Sequence, residues 1–282
     1  MTKTPLRWVG GKGRFLEKIY KHFPQHTTFV DVFGGSGSVI LGKNPAKVDV
    51  YNDLDRRLAN FFQVLCDEKK TEELQRRLEN TLYSRRVFEE AKELQYNELS
   101  DIDRAYYFFV VNRQSFGAIG ERFGYEVSAG SAGDYPSCIK GFHTGIKLLK
   151  SAHKRLREIQ IENLDFRDLI PRYDTLETLF YLDPPYVQGL RTSRIMYNHE
   201  MTTPDHVNLV NLLLNTKGMI ILSGYETEIY NPLLESGWSQ SKFDCFTRIT
   251  QDNQGFNTPR TECLWISPTC IKNQLQLQLS YE

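Results

Sequence analysis

The stretch LFYLDPPYVQG, residues 179–189, joins an apolar run to a carboxylate, two prolines and an aromatic ring. The apolar run is typical of a buried strand, and it ends at Asp183. Proline has no backbone N–H to donate and fixes φ, so Pro184 and Pro185 stop strand pairing at once. Asp183 and Tyr186 therefore flank a stiff corner that can hold a flat, hydrogen-bond-donating group between an acid and a ring.

A second group of residues with chemical potential lies in glycine-rich loops near the start of the sequence. FGGSGS, residues 33–38, follows a predicted strand and opens a helix, a position where backbone approaches a ligand closely. It lacks the third glycine of a dinucleotide fingerprint, because that position is Ile40. VGGKGR is not a phosphate-binding P-loop, because Gly13 follows Lys12. Either loop alone is more typical of a tight turn.

An acid placed after the second predicted strand changes this interpretation. Asp53 follows the first glycine loop by about twenty residues, where an acid can bind both hydroxyls of a ribose. Its alternative role is a helix cap. No Lys or Arg lies within residues 31–42, and Asp31 would repel an anion, so a nucleoside without a phosphate is favoured. S-adenosyl-L-methionine fits, since it is an adenosine that carries a sulfonium and an amino acid.

Composition restricts the classes of protein that the sequence can encode. The 282 residues include 35 Lys+Arg and 35 Asp+Glu, which argues against histone-like binding by bulk charge but allows a local basic cleft. The five cysteines are odd in number and form no CxxC pair, so neither a disulfide framework nor a metal site is expected. We find no signal peptide and no apolar run near the ~18 residues of a membrane span. The prediction is a cytoplasmic protein without a membrane partner.

The elements that must position these residues alternate between strand and helix. Predicted strands are β-rich apolar runs, and they lie at residues 29–33, 48–52, 159–165, 178–183, 219–223, 241–248 and 262–267. A helix before the fifth of these strands has Thr203 as its candidate N-cap and Pro204 at its first position. This alternation predicts an α/β fold with a mostly parallel sheet covered on both faces. The charged and glycine-rich stretch from 60 to 160 interrupts it and is predicted to be an insert.

With these features in place, the sequence resembles the Dam-like (D12 class) DNA adenine-N6 methyltransferases. PLRWVGGKGRF at 5–15 is similar to the N-terminal motif of that family, FVDVFGGSGS at 29–38 to its cofactor loop, and YLDPPY at 181–186 to its catalytic motif. NDLD at 52–55 and LDFRD at 164–168 also lie where the family contacts its cofactor. The motifs occur in the family's order, and the match is loose only in the insert.

The resemblance implies a fold, a domain division and a set of cofactor contacts. The fold is a Rossmann-like S-adenosylmethionine-dependent methyltransferase sheet, mostly parallel with an antiparallel edge strand, plus a helical and hairpin target-recognition insert. Residues 1–60 and 160–282 would form the catalytic domain and residues 61–159 the DNA-reading insert. The implied cofactor-binding residues are Trp8, Lys12, Asp31, Phe33, Gly35, Gly37, Asp53, Asp165, Phe166 and Asp183. Trp8 and Phe166 are alternatively plain core residues.

The resemblance also implies how the proline corner acts. Adenine N6 is a poor nucleophile, because its lone pair is delocalised into the ring. Two acceptors on its hydrogens, the Asp183 carboxylate and the Pro184 carbonyl, would favour attack on a methyl group and accept the charge that develops. The Tyr186 ring would stack on the base and hold the amine in line. Asp183, Pro184 and Tyr186 are therefore the predicted catalytic residues.

The target base is buried in duplex DNA, so it must be rotated out of the helix. VNRQSFGAIGERFGY resembles the family's DNA-reading hairpin. Asn112 and Arg113 match it, Phe116 lies where these enzymes insert an aromatic ring, and Arg122 is a further candidate contact. Glu121 stands where GATC-specific members place an arginine, so the resemblance does not predict a GATC target.

The leading hypothesis is thus a site-specific enzyme that methylates adenine N6 in double-stranded DNA. We expect a monomer in solution, with a cognate restriction endonuclease as a partner to be sought. One alternative keeps the fold and cofactor but methylates RNA, cytosine N4 or a protein amide. Another is a non-catalytic DNA-binding regulator, against which the intact Asp53, Asp183 and glycines count.

Overall fold

The computed structural model describes residues 1–127, 136–186, 200–247 and 258–280. These ranges contain seven strands: β1 Thr28–Asp31, β2 Val48–Asn52, β3 Ile159–Glu162, β4 Thr178–Leu182, β5 Met219–Gly224, β6 Ser239–Thr247 and β7 Thr258–Ile266. Each predicted strand corresponds to one of them. Within the predicted insert, residues 128–135 lie outside the described part.

The helices of the described ranges alternate with the strands at both ends of the chain and cluster in its middle. They are α1 Leu16–Tyr20, α2 Ser38–Gly42, α3 Arg56–Cys66, α4 Glu68–Glu79, α5 Arg85–Leu94, α6 Asp101–Gln114, α7 Ser137–Leu156, α8 Phe166–Tyr173, α9 Thr203–Leu214, α10 Asn231–Glu235 and α11 Pro268–Ser280. None of them, within the described residues, has the length and apolar character needed to cross a membrane.

The strands form one sheet in the order β3-β2-β1-β4-β5-β7-β6. β1 is parallel to β2 and to β4, and β4 is parallel to β5. β7 runs antiparallel to β5 and to the edge strand β6. The predicted mostly parallel sheet with an antiparallel edge is confirmed, and so is the α/β class.

The central strands are buried throughout because both of their faces are covered. Every residue of β4 and β5 is buried, as expected for parallel strands between two helical layers. Helix α9, which leads into β5, begins with a capping box in which the Thr202 side chain accepts from the backbone N–H of Asp205. The predicted N-cap, Thr203, was wrong by one residue, because Thr202 has the extended backbone and supplies the capping oxygen.

Contacts divide the chain into two compact units. The sheet unit comprises Phe15–Gly34, Pro45–Leu54 and Leu164–Glu282. Its core joins the inward side chains of β1, β2, β4 and β5 to those of α8, α9 and α10. Apolar burial of this kind is what holds the strands in register and fixes the positions of their carboxyl ends.

The helical unit comprises Met1–Arg14, Gly35–Asn44 and Asp55–Asn163. Aromatic rings from three helices meet in its core, where the ring of Phe61 lies 5.8 Å from that of Phe108 and 6.0 Å from that of Phe109. Phe142 of α7 packs on Phe109 at 6.0 Å. The predicted division into a catalytic domain, residues 1–60 and 160–282, and a DNA-reading insert, residues 61–159, also assigns functions to these parts. It stays a prediction.

Candidate active site

The predicted catalytic corner lies at the carboxyl end of β4. β4 pairs with β1 on one side and with β5 on the other, so the backbone that leads into Asp183 is held along both edges. Pro184 is buried, while Asp183 and Tyr186 are half-buried. The corner therefore presents a carboxylate and a ring from a backbone that has little freedom to move.

Two contacts hold the Tyr186 side chain in the sheet unit. Its hydroxyl donates to the carboxylate of Glu262, with both oxygens at 3.3 Å. Its ring stacks on that of Tyr225, with centroids 4.2 Å apart and planes inclined by 30°. The ring of the catalytic motif is thus fixed both at its tip and on one face.

Glu262 and Tyr225 were missed by the sequence analysis. Glu262 lies in β7 and is 3% exposed, and the hydroxyl of Ser223 in β5 also donates to it, at 2.9 Å. A charged residue inside the apolar run ECLWIS was the available signal, because a buried carboxylate needs hydrogen-bonding partners. The sequence does not say which partners those are.

The charge of Asp183 acts on a buried tyrosine behind the corner. Burial, and then the negative charge of Asp183, raise the pKa of Tyr230 well above its usual value. The Tyr230 hydroxyl shares a buried hydrogen bond of 2.9 Å with Nδ1 of His206. Tyr230 therefore remains a neutral phenol at physiological pH.

Asn52, at the end of β2, ties together the loops that follow neighbouring strands. Its side-chain amide donates to the backbone carbonyls of Val32, at 2.8 Å, and of Leu164, at 3.0 Å. Its Oδ1 accepts from the backbone N–H of Leu164 at 2.8 Å. One buried side chain thus fixes the segments that carry Phe33 and Asp165, both predicted cofactor contacts. Sequence analysis included Asn52 in the NDLD motif but gave it no role of its own.

The acids at the ends of β1 and β2 occupy different environments. Asp31 is 1% exposed, whereas Asp53 is half-buried. The cap of α3 is Asp55, whose carboxylate accepts from the backbone N–H of Arg57 at 2.9 Å, so Asp53 does not have the alternative capping role. Across the described ranges, no group of three or more His, Cys, Asp or Glu side chains could hold a metal ion.

Asp165 and Phe166, the polar and apolar residues at the start of α8, have different structural roles. Asp165 is the N-cap of α8 and accepts from the backbone N–H of Arg167 at 2.9 Å. Phe166 is 5% exposed and its ring lies 5.9 Å from that of Phe33. Phe166 belongs to the core of the sheet unit, as its alternative interpretation held. Whether it also borders a bound adenine stays a prediction.

The remaining cofactor candidates lie in the helical unit. Gly35 and Gly37 have φ of 50° and 70°, a conformation that side chains disfavour. A Cβ on Gly35 would lie 2.9 Å from Nε1 of Trp8, so Trp8 closes directly over the glycine loop. Lys12 is 3% exposed in a short 3₁₀ turn. Trp8 and Gly35 are therefore in contact, and the glycines are needed for the loop to form.

Two of the DNA-reading candidates are buried. Asn112 exchanges hydrogen bonds with the backbone of Arg7, accepting from its N–H at 2.9 Å and donating to its carbonyl at 2.7 Å. Arg113 is 7% exposed and packs against Gly145 of α7, where a Cβ would lie 2.2 Å from its Nε. Burial, and then the charge of Arg7, lower the pKa of Arg113 to about 10, so it stays a cation at neutral pH.

The other two candidates are exposed. Phe116 is 59% exposed, and Arg122 is exposed six residues later. The segment folds back on itself, because the N–H of Phe116 donates to the carbonyl of Arg122 at 2.7 Å and Ser115 bridges to Phe123. The predicted hairpin thus places an aromatic ring in solvent. Its contact with DNA stays a prediction.

Comparison with known proteins finds methylases. Modification methylase StsI of Streptococcus sanguinis is 37% identical over 62 residues, 22% of this chain and 9% of that protein. Modification methylase LlaI of Lactococcus lactis subsp. lactis is 25% identical over 199 residues, 66% of this chain and 30% of that protein. A DNA adenine methylase of Vibrio cholerae is 35% identical over 63 residues, 22% of either chain. Each alignment covers less than a third of the relative's own length.

One solved structure and one family model each match most of the chain. Among solved structures, the rRNA methyltransferase aviRa from Streptomyces viridochromogenes aligns over 94% of this chain and 89% of its own, but with 10% identity and a TM-score of 0.41, too low to support a functional comparison. The model of the D12 class matches residues 8–253, which include the glycine loop, the strand-ending acids and the proline corner. The chain belongs to the D12 class N6 adenine-specific DNA methyltransferase family.

Proposed function

We propose that this chain is a site-specific DNA methyltransferase that transfers a methyl group from S-adenosyl-L-methionine to N6 of a flipped adenine in double-stranded DNA. The observation that carries the proposal is the corner at the end of β4, where Asp183 precedes two prolines and the Tyr186 ring is held by Glu262 and Tyr225. Membership of the D12 class supports it, because the name of that family states the reaction.

The corner supplies what an aromatic amine needs in order to react. The Asp183 carboxylate and the Pro184 carbonyl accept hydrogen bonds from the two N6 hydrogens, which favours tetrahedral geometry at that nitrogen. Negative charge at Asp183 also stabilises the positive charge that develops during attack. Stacking on Tyr186 limits rotation of the base and keeps N6 directed at the methyl group.

The residues of each unit suit S-adenosyl-L-methionine, which when bound supplies an electrophilic methyl group. In the sheet unit, Asp53 is half-buried just after β2, where a carboxylate is suited to bind ribose hydroxyls. The other predicted cofactor contacts of this unit lie at the ends of the neighbouring strands or in the segments that follow them. They are Asp31, Phe33, Asp165, Phe166 and Asp183. In the helical unit, Gly35 and Gly37 let backbone approach the methionine part beside Trp8 and Lys12.

We assign DNA reading to the insert, residues 61–159. The exposed Phe116 ring is suited to replace the stacking lost when an adenine leaves the helix. Arg122 is exposed and can contact phosphate or base edges, whereas Asn112 and Arg113 would act from buried positions. We further propose that the enzyme acts as a monomer in the cytoplasm. We propose a cognate restriction endonuclease as its functional partner.

Transfer of label from radioactive S-adenosyl-L-methionine tests this proposal against its alternatives. Unmodified duplex DNA, RNA and protein are offered in separate reactions, and labelled products are digested to nucleosides or amino acids. Label in N6-methyladenine supports the proposal. Label in N4-methylcytosine, RNA or a protein amide would move the activity to another amine. Tight DNA binding without transfer to any substrate would indicate a regulator.

A further inference from the structure

The carboxylate of Glu262 is buried at a position where nothing in the strand itself requires a charge. It is 3% exposed, and the next four residues of β7, from Cys263 to Ile266, are all buried and mostly apolar. Burying a carboxylate costs several kcal/mol unless hydrogen bonds replace its water shell. Its hydroxyl donors come from Tyr186, next to the catalytic acid, and from Ser223 of β5. The buried charge is therefore directed at the catalytic corner.

Tyr186 is restrained in two independent ways. The hydroxyl bonds to Glu262 fix the tip of the side chain, and the stack on Tyr225 fixes the plane of the ring. A tyrosine side chain has two rotatable bonds, so two such restraints leave it little rotational freedom. Tyr225 stacks on one face of the ring, so the plane of the ring is set within the sheet unit.

We propose that Glu262 is a positioning residue for methyl transfer: together with Tyr225, it orients the ring of Tyr186 for stacking on the target adenine. This inference rests on the proposed function. Glu262 acts through Tyr186 and does not touch the reacting atoms. A carboxylate suits the task better than an amide, because both of its oxygens accept and it can serve two hydroxyl donors at once.

A double-mutant cycle of Glu262→Gln and Tyr186→Phe tests the coupling. We measure the single-turnover rate of methyl transfer, the affinity for S-adenosyl-L-methionine and the melting temperature of each variant. Loss of a hydrogen bond to a charged group should slow the single-turnover rate by about 10-fold in either single variant. The double variant should be no slower than the slower single variant, because both changes remove the same interaction. Cofactor affinity should not change.

Two matched variants separate positioning from general stability. Glu226→Gln alters an exposed acid that pairs with Lys242, and it should leave the rate unchanged. Tyr225→Ala removes the stack and should be several-fold slower than wild type. Losses in Glu262→Gln and Tyr186→Phe that multiply in the double variant would overturn the inference, as would a Glu262→Gln rate equal to wild type.

A second measurement needs no activity and therefore separates this inference from the proposed function. Ring-labelled tyrosine gives an NMR signal for Tyr186, which Tyr186→Phe identifies by its loss. The structure predicts a slowly flipping ring in wild type and a faster-flipping ring in Glu262→Gln. Equal flipping in both proteins would overturn the inference even if methylation is observed. Slow flipping in wild type alone would support it even if the amine that is methylated proves to be a different one.

Discussion

The proline corner and the segment from Ser115 to Gly124 are held in place by different means. At the corner, β4 is paired along both edges up to Leu182, and Tyr186 is held by the buried carboxylate of Glu262, which also accepts from Ser223. The segment is held mainly by backbone hydrogen bonds. The N–H of Phe116 donates to the carbonyl of Arg122, and the N–H of Gly124 donates to the carbonyl of Gln114, each at 2.7 Å. The difference separates a site that needs one geometry from a surface that can vary its side chains.

The backbone of the exposed segment also turns through left-handed residues. Gly117, Ala118 and Gly120 have φ of 65°, 63° and 84°, and a left-handed alanine costs about 1 kcal/mol. These turns project Phe116 into solvent, where it buries little apolar surface. We expect the side chains of such a segment to vary with the DNA target, whereas a change at the corner should abolish methyl transfer.

The largest effect is expected from Asp183→Ala. It removes an acceptor that is used mainly in the transition state, so the rate of methyl transfer should fall by about 100-fold or more. Single-turnover kinetics and circular dichroism measure the rate and the fold. Asp244→Ala, an exposed acid on β6, is the matched control and should leave the rate unaltered. A near-wild-type rate in Asp183→Ala would remove the corner from the mechanism.

Asp53→Ala should act on binding rather than on chemistry. The lost contacts are hydrogen bonds from ribose hydroxyls to a carboxylate, at about 1.5–3 kcal/mol each, so affinity for S-adenosyl-L-methionine should fall by at least about 10-fold. Calorimetry measures cofactor affinity, and a gel-shift titration measures DNA affinity, which should stay the same. Unchanged cofactor affinity would leave Asp53 without a functional role.

Asn52→Ala should weaken the fold around the same loops. It leaves two carbonyls and one N–H of Val32 and Leu164 without their partner, and each unsatisfied group costs about 1–3 kcal/mol. Urea denaturation should show a lower free energy of unfolding, together with weaker cofactor binding. Asn208→Ala, on the exposed face of α9, provides the control. Equal stability of the two variants would contradict the account.

Much of the sheet could be predicted because its pattern is local. Apolar runs, the acids that end them and the proline corner are continuous in the sequence, so Asp53 and Asp183 were found at strand ends. The roles of Asn52 and Glu262 were not predicted, because their partners Leu164 and Tyr186 lie far away along the chain. The burial of Arg113 was also not predicted, because Gly145, which packs against it, lies in the next helix, α7.

Gly145→Ala probes how Arg113 is seated. The added Cβ would lie 2.2 Å from its Nε, so the guanidinium must shift, at a cost of about 1–3 kcal/mol in unfolding free energy. Gly141→Ala is the matched control in the same helix, because its Cβ would meet nothing within 4 Å. If Arg113 contacts DNA from this position, only Gly145→Ala should weaken DNA binding in a gel-shift titration. Equal DNA affinities would make Arg113 a packing residue.

Phe116→Ala should have the smallest effect, and one that depends on the substrate. A ring that replaces lost base stacking contributes about 1–3 kcal/mol, which matters most when the target adenine is fully paired. Turnover and 2-aminopurine fluorescence should therefore fall more on a paired target than on a mismatched one. Equal losses on both would mean that Phe116 only packs the segment.

The identity of the methylated atom tests the central claim most directly. Wild type and Asp183→Ala are incubated with S-adenosyl-L-methionine and unmodified duplex DNA, and the digested nucleosides are separated and identified by mass spectrometry. The account predicts N6-methyladenine from the wild-type reaction. From the variant it predicts a yield that is lower by about 100-fold or more. A methylated nucleoside other than N6-methyladenine, or equal yields from the two proteins, would contradict it.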